Sequence, residues 1–277
     1  MSRSYLVWAP PFDESSGGIK CLHRLAVELQ KRRELVFLST ETQNPKWPRV
    51  GTIVNIGNDL ENEISVLPEI ISGNPFKSKT VVRYLLNTPG SCSPDYSSTW
   101  GKDDLFYTYS RLFNTKIGLP DDRVLLCPHI DLDVFYDQHL PRSGRAVYRG
   151  KGPDHELLRK YPLLGGKESF RGDYGQKRLC DALNRITMLY VLDNATAMTE
   201  IARLCGCAVC LIPDGSYTKE QYQQYEFYGA GGFGWGIEES AIARATIDSE
   251  KMRSAYMETE RKFQLDLTRF IEVTQNG

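Results

Sequence analysis

Apolar residues run along this chain in blocks of four to six, broken by turn-forming residues and alternating with stretches of helical spacing. Tyr5-Leu6-Val7-Trp8-Ala9 reads as a short buried strand stopped by Pro10-Pro11. The turn-rich loop Asp13-Glu14-Ser15-Ser16-Gly17-Gly18 supplies a helix N-cap. Ile19, Leu22, Ala26 and Leu29 then follow at helical spacing, and Lys31-Arg32-Arg33 suits the negative end of the helix dipole. Leu35-Val36-Phe37-Leu38 is the next strand. A strand–helix–strand unit of this size predicts a parallel sheet with a right-handed crossover. Further on, Ile64-Ser65-Val66-Leu67, Asp104 to Tyr109 and Val124-Leu125-Leu126-Cys127 read as strands. Asn74-Pro75 opens a predicted helix through Val81, Val82, Tyr84 and Leu85.

The polar stretch Asp137 to Gly144 carries Pro and Gly and predicts a domain boundary. Beyond it the pattern restarts with the strand Arg145-Ala146-Val147-Tyr148, and a loop-rich stretch runs to Tyr174. A helix is expected from about Gln176 to Asn184, a strand over Met188 to Leu192 and a helix over Thr196 to Cys205. The strand Ala208 to Ile212 ends at Pro213-Asp214-Gly215. From Glu238 onward, Met252, Tyr256, Phe263, Leu267 and Phe270 share a helical face, as one broken helix or two. The expected organisation is α/β. It comprises a Rossmann-like lobe over 1–140, a second over 141–248 and a terminal helical segment over 249–277.

Composition narrows the function classes. The 277 residues carry 34 Lys plus Arg against 35 Asp plus Glu, a formal charge of −1. That balance gives no broad field for wrapping nucleic acid or coating an anionic membrane. No run approaches 18 apolar residues, and the opening segment lacks a signal-peptide core, so a soluble cytoplasmic protein is expected. Seven scattered cysteines, mostly in apolar runs, argue against a disulfide framework.

Several short constellations could carry chemistry. Gly17-Gly18 at the mouth of a helix lets backbone N–H groups approach a phosphate or carboxylate, although a paired glycine is also an ordinary loop feature. Arg149-Gly150-Lys151-Gly152, directly after a strand, joins two cations to permissive backbone, as a diphosphate site or a solvated basic turn. Asp193-Asn194-Ala195-Thr196 to Glu200 spans a strand end and a helix start, where acids can hold sugar hydroxyls or simply cap the helix. Gly229 to Gly234 matches G-x-G-x-x-G, but no convincing strand precedes it, so no dinucleotide site is expected there. No P-loop pattern occurs. His129-Ile130-Asp131-Leu132-Asp133 and the group Cys205, Cys207 and Cys210 could be drawn as metal ligands. Neither has a further ligand pair at a recognised spacing, and no metal or other cofactor is expected. The aromatic stretch Tyr217 to Tyr228 is read as packing, with stacking on a sugar as the other possibility.

Taken together these segments resemble the GT-B-type glycosyltransferases, especially glycosyltransferase family 4 and its relatives. Ser16-Gly17-Gly18-Ile19 is similar to that group's N-terminal signature. Pro128-His129-Ile130-Asp131-Leu132-Asp133-Val134-Phe135 is similar to the P-N-G-x-D-x-x-x-F segment that closes its first lobe. Tyr148-Arg149-Gly150-Lys151-Gly152 resembles the start of its second lobe. Glu200 to Val209 resembles its E-A-x-x-x-G-x-P-V turn, with Ala208 in place of Pro and Glu200 one residue further from Gly206 than usual.

The resemblance implies a GT-B-like fold of two Rossmann-like lobes, with a cleft between them and a last helix returning to the first lobe. It implies transfer of a sugar from a UDP- or GDP-linked nucleotide-sugar to a glycan or lipid-linked acceptor in surface polysaccharide synthesis. Transfer would be metal-independent and retaining. Arg149 and Lys151 would bind the diphosphate with Gly17, Gly18, Thr196 and Asn194, while Asp193 or Glu200 would hold ribose or donor-sugar hydroxyls. Asp13 and Glu14 are the candidates for activating the acceptor. A lipid-linked acceptor would allow transient contact with the inner membrane face. A non-catalytic nucleotide- or sugar-binding protein of the same fold is the alternative, and an NAD(P)-linked oxidoreductase rests on fold analogy alone.

Overall fold

The computed structural model of the protein describes residues 3–53, 60–150 and 175–276, together with the backbone of 168–170. Strands form where β-branched and aromatic residues cluster, and every strand pairing among the described residues is parallel. The chain packs as two compact units, one of residues 1–129 with 259–277 and one of residues 130–258.

The first unit holds β1 (Tyr5–Val7), β2 (Val36–Leu38), β3 (Gly51–Thr52), β4 (Ile64–Pro68), β5 (Thr80–Leu85) and β6 (Leu105–Thr108). Their spatial order is β3-β2-β1-β4-β5-β6. The order reverses direction between β1 and β4, so a crevice opens at the carboxyl ends of that pair. Helix α1 (Gly17–Lys31) is the crossover from β1 to β2, with the Ser16 hydroxyl accepting from the Ile19 N–H at 3.4 Å. Helix α2 (Arg111–Ile117) follows β6 and ends on Gly118 in the left-handed conformation at φ 77°.

Two expectations change here. The segment Thr80–Leu85 is strand β5, where a helix was expected from Asn74 through Leu85. Its Val-Val-Arg-Tyr-Leu run is buried from Val81 onward between β4 and β6, and that burial decides against the helical spacing. Val124 to Cys127 is buried but irregular, joined to the sheet by a single parallel bridge from Val124 to Thr108.

The terminal segment divides into α6 (Ser240–Ala245) and α7 (Ser249–Asn276); α3 to α5 precede them and are given below. From residue 259 onward α7 belongs to the first unit. There Phe263, Leu267 and Phe270 are buried in one core with Tyr5, Leu25 and Tyr107. The Phe270 ring meets Tyr107 edge-on at 4.9 Å, and the Tyr5 hydroxyl bonds the Thr274 hydroxyl at 2.6 Å. Arg32 donates to the Gln264 carbonyl at 2.9 Å and to the Thr268 hydroxyl at 3.0 Å.

The second unit contains β7 (Arg145–Tyr148), β8 (Glu168–Phe170), β9 (Met188–Val191), β10 (Ala208–Leu211) and β11 (Phe233–Trp235), ordered β11-β10-β9-β7-β8. This is the other common doubly wound order, and it reverses between β7 and β9. Helices α3 (Gln176–Leu183), α4 (Met198–Leu204) and α5 (Lys219–Tyr222) precede α6. The core is built from Val147, Met188, Tyr190, Leu192, Ala208, Cys210, Ile212 and Ala243. The stretch from Asp137 to Gly144 is part of this unit. Arg142 holds it in place by pairing with Asp137 at 2.5 Å and donating to the Leu183 carbonyl at 2.9 Å. The G-x-G-x-x-G segment runs into β11 rather than out of a strand. The backbone of Gly231 and Gly232 closes on Thr246 and Ile247, which is a packing role.

Candidate functional site

In the second unit, the loops at the carboxyl ends of β7 and β9 are in direct contact at the point where strand order reverses. Gly150, at φ 53°, lies so close to Asp193 that a Cβ would overlap the carboxylate, which requires glycine twice over. Arg149, half-buried, precedes it directly after β7. Lys151 lies outside the described residues, as does the loop-rich stretch through 167. Across the switch, Asp193 Oδ1 accepts from the Ala195 N–H at 3.0 Å, turning the chain toward α4. Asn194 is 2% exposed; its Nδ2 donates to the Ile212 carbonyl at 3.1 Å while its Oδ1 has no hydrogen-bond partner among the described residues. Thr196 Oγ1 accepts from the Met198 N–H at 3.3 Å, the local start of α4.

Glu200 sits in the first turn of α4 and is almost wholly buried. Its Oε2 accepts from the Thr199 hydroxyl at 2.8 Å, and burial pushes its carboxyl up to about 7 despite the nearby Arg203 guanidinium. Arg203 is fully buried, donating to the Thr199 carbonyl at 2.9 Å and the Phe227 carbonyl at 2.7 Å. The Tyr222 phenol completes the cluster. Burial, reinforced by Glu200, holds its hydroxyl in the protonated form, and Asp193 acts in the same direction. The structure therefore gathers Asp193 and Glu200 around Tyr222 and Thr199. Neither Tyr222 nor Thr199 stood out in the sequence as functional. Tyr222 lies in an aromatic run whose Tyr217, Tyr225 and Phe227 are also buried, which is packing.

In the first unit, Gly17 and Gly18 begin α1, and neither N–H group has a hydrogen-bond partner among the described residues. His129 closes over them from the chain leaving the sheet. A Cβ on Gly17 would stand 3.1 Å from its Nε2. Asp13 and Glu14 are exposed in the preceding loop, and Asp13 Oδ1 is engaged by the Ser15 N–H at 2.8 Å. The acids therefore face the same helix start as the glycines, and Lys20 feels both carboxylates.

The cysteines pair differently from their sequence neighbourhood. Cys205 Sγ lies 3.8 Å from Cys180 Sγ on α3, while Cys207 and Cys210 are buried separately in and beside β10. Among the described residues no three His, Cys, Asp or Glu side chains are grouped as metal ligands would be. No helix among them is long and apolar enough to cross a membrane.

These two sheets, each doubly wound and each with its candidate loops at a switch point, can be compared with solved structures. AviGT4, a glycosyltransferase involved in avilamycin A biosynthesis, superposes with a TM-score of 0.57 at 13% identity over 98% of both chains. The chain has the GT-B fold. Sucrose-phosphate synthase from Thermosynechococcus elongatus is also similar, with a TM-score of 0.52 at 10% identity, covering 99% of this chain and 95% of that one. No family model matches the sequence, and no curated protein matches it. The GT-B likeness thus rests on architecture, with the residue-level chemistry left to the site geometry.

Proposed function

We propose that the protein is a glycosyltransferase that takes a sugar from a nucleotide-sugar, bound through its diphosphate at the β7/β9 switch point. The observation that supports this reading is the contact of Gly150, the residue after Arg149, with the buried Asp193 at the point of strand-order reversal where doubly wound sheets hold ligands. Arg149 and Lys151 would neutralise the diphosphate, and Asn194 and Thr196 would add polar contacts. The reaction breaks the bond between the anomeric carbon and the diphosphate oxygen. The chief need is therefore to stabilise negative charge on the leaving group, which fixed cations and N–H dipoles supply without a metal. Asp193 or Glu200 would hold ribose or sugar hydroxyls. Glu200 keeps a proton up to about pH 7, so it would donate a hydrogen bond as readily as accept one.

In this reading the second unit (residues 130–258) is the donor lobe and the first unit the acceptor lobe, where Asp13 or Glu14 would activate an acceptor hydroxyl. The acceptor is a glycan or lipid-linked sugar of surface polysaccharide synthesis, reached at the inner face of a membrane, and the product retains the donor's anomeric configuration. AviGT4, named for its part in making a natural product, supports a sugar-transfer chemistry on this architecture. Incubation with a panel of UDP- and GDP-sugars tests it. Release of nucleoside diphosphate, increased by a suitable acceptor, is expected. Tight nucleotide binding with no release from any donor would instead identify a non-catalytic binding protein.

A further inference from the structure

Two thiols of the second unit meet between helices. Cys180 lies on α3 and Cys205 caps the C-terminus of α4, and both are buried, at 2% and 0% exposure. The Cys205 thiol donates to Cys180 Sγ at 3.8 Å. Two amides also donate to that sulfur, Asn184 Nδ2 at 3.3 Å and Gln138 Nε2 at 3.6 Å, and the Tyr136 carbonyl lies 3.9 Å away. A sulfur accepts weakly as a thiol and strongly as a thiolate, so three converging donors favour the ionised form. The Cys205 hydrogen bond draws Cys180 down to about 6 against the effect of burial, and the same bond, with burial, pushes Cys205 up. Of the charged neighbours, Asp181 opposes ionisation of Cys180 and Arg142 favours that of Cys205. By contrast, burial pushes Cys207 and Cys210 up to about 12, as expected of thiols that serve as packing.

We propose that Cys180 and Cys205 are a peroxide-responsive pair, Cys180 attacking and Cys205 resolving, that closes a reversible disulfide between α3 and α4. The Cys180 thiolate attacks one oxygen of hydrogen peroxide. Its S–O bond forms as the O–O bond breaks, leaving a sulfenic acid and hydroxide. That hydroxide takes the Cys205 proton and becomes water. The Cys205 thiolate then attacks Cys180 Sγ, so the S–S bond forms and the S–O bond breaks. The departing hydroxide recovers from solvent the proton that Cys180 gave up on ionising. Two thiols and one peroxide thus become one disulfide and two waters; the sulfurs lose two electrons and the peroxide oxygens gain them. Closing 3.8 Å to a bond of about 2.05 Å needs a shift of about 1.8 Å. A water-sized oxidant has a route through α3, which is eight residues long with Lys177 and Arg178 exposed, short enough to open locally. The bridge would tie down more than two helices. Arg142 donates to the Cys205 carbonyl at 2.5 Å and pairs with Asp137, and the Gln138 N–H donates to Asn184 Oδ1 at 2.7 Å. It would also fix the end of α4, whose first turn carries Glu200. The thiol pair is independent of the function proposed above.

Treatment of the folded full chain with hydrogen peroxide tests the pair, in a Cys92→Ser background that removes the exposed thiol. After alkylation and tryptic digestion without reductant, peptide 179–185 is expected in linkage with peptide 204–219, and fragmentation should place the bond at Cys205. Dithiothreitol should abolish the linkage. The oxidised chain should unfold at higher urea than the reduced one, because the bridge restricts the unfolded chain. In Cys205→Ser, whose hydroxyl keeps a donor beside Cys180, the linkage should be lost and dimedone should trap a sulfenic acid on Cys180. Urea melts show whether that variant folds; if it does not, the linkage map of the chain that retains Cys205 decides alone. No linkage between the two peptides, a bond placed at Cys207 or Cys210, or an unmodified Cys180 in folded Cys205→Ser would each overturn the proposal. Two thiols that serve as packing would give one of those three results.

Discussion

Burial keeps a proton on Glu200 up to about pH 7, against 4.5 for an unperturbed carboxyl. Between those values the folded state holds more protons than the unfolded chain, so stability falls as pH rises through the window. At about 1.4 kcal/mol per unit, this group alone accounts for a loss of about 3 kcal/mol. His129 acts with the opposite sign. Its folded value lies near 3, below the ordinary 6.5, so stability is lost as pH drops through 6.5, where only the unfolded chain takes the proton. Glu200→Gln should therefore unfold at higher urea than wild type at pH 8 and at a similar urea concentration near pH 4.5. Parallel urea midpoints at both pH values would contradict the assignment of Glu200 as a buried, protonated acid. His129→Gln should lessen the loss of stability below pH 6.5 without altering the alkaline side.

At the scale of elements, the last helix ties its own half of the first unit together. Phe270 is fully buried between Tyr5 and Tyr107, so Phe270→Ala should cost about 3–5 kcal/mol, read from the urea midpoint. Leu265→Ala on the exposed face should change it by less than about 0.5 kcal/mol. The helical face through Phe263, Leu267 and Phe270 was readable from spacing alone, as were α1 and the strands β1, β2, β4, β7, β9 and β10. Strand β5 was not. Val81, Val82, Tyr84 and Leu85 fit a helical stripe as well as a buried strand, and only the neighbours β4 and β6 decide between them. The site divides in the same way. Gly17, Gly18, Gly150 and Asp193 stand at turn positions that sequence reports directly. Lys20 and Tyr222 do not, because a lysine within a helix reads as a solvated face and a tyrosine within an aromatic run reads as packing. Their burial is a tertiary fact.

Across the whole molecule, a net charge of −1 leaves recognition to a few local cations rather than a broad field. Both sheets are doubly wound, and both place permissive glycines and charged groups where strand order reverses. That repetition is the strongest structural reason to expect a ligand with phosphoryl groups, since two such loops are hard to explain by packing alone. The central claim is that Arg149 and its neighbours at the β7/β9 switch hold a nucleoside diphosphate. Calorimetric titration of the full chain with UDP and GDP, wild type against Arg149→Ala, tests it most directly. Saturable binding of one of the two, weakened by about 1.5–3 kcal/mol in the variant, is the expected result. Equal affinity in a folded Arg149→Ala, or no binding of either nucleotide by wild type, would contradict it.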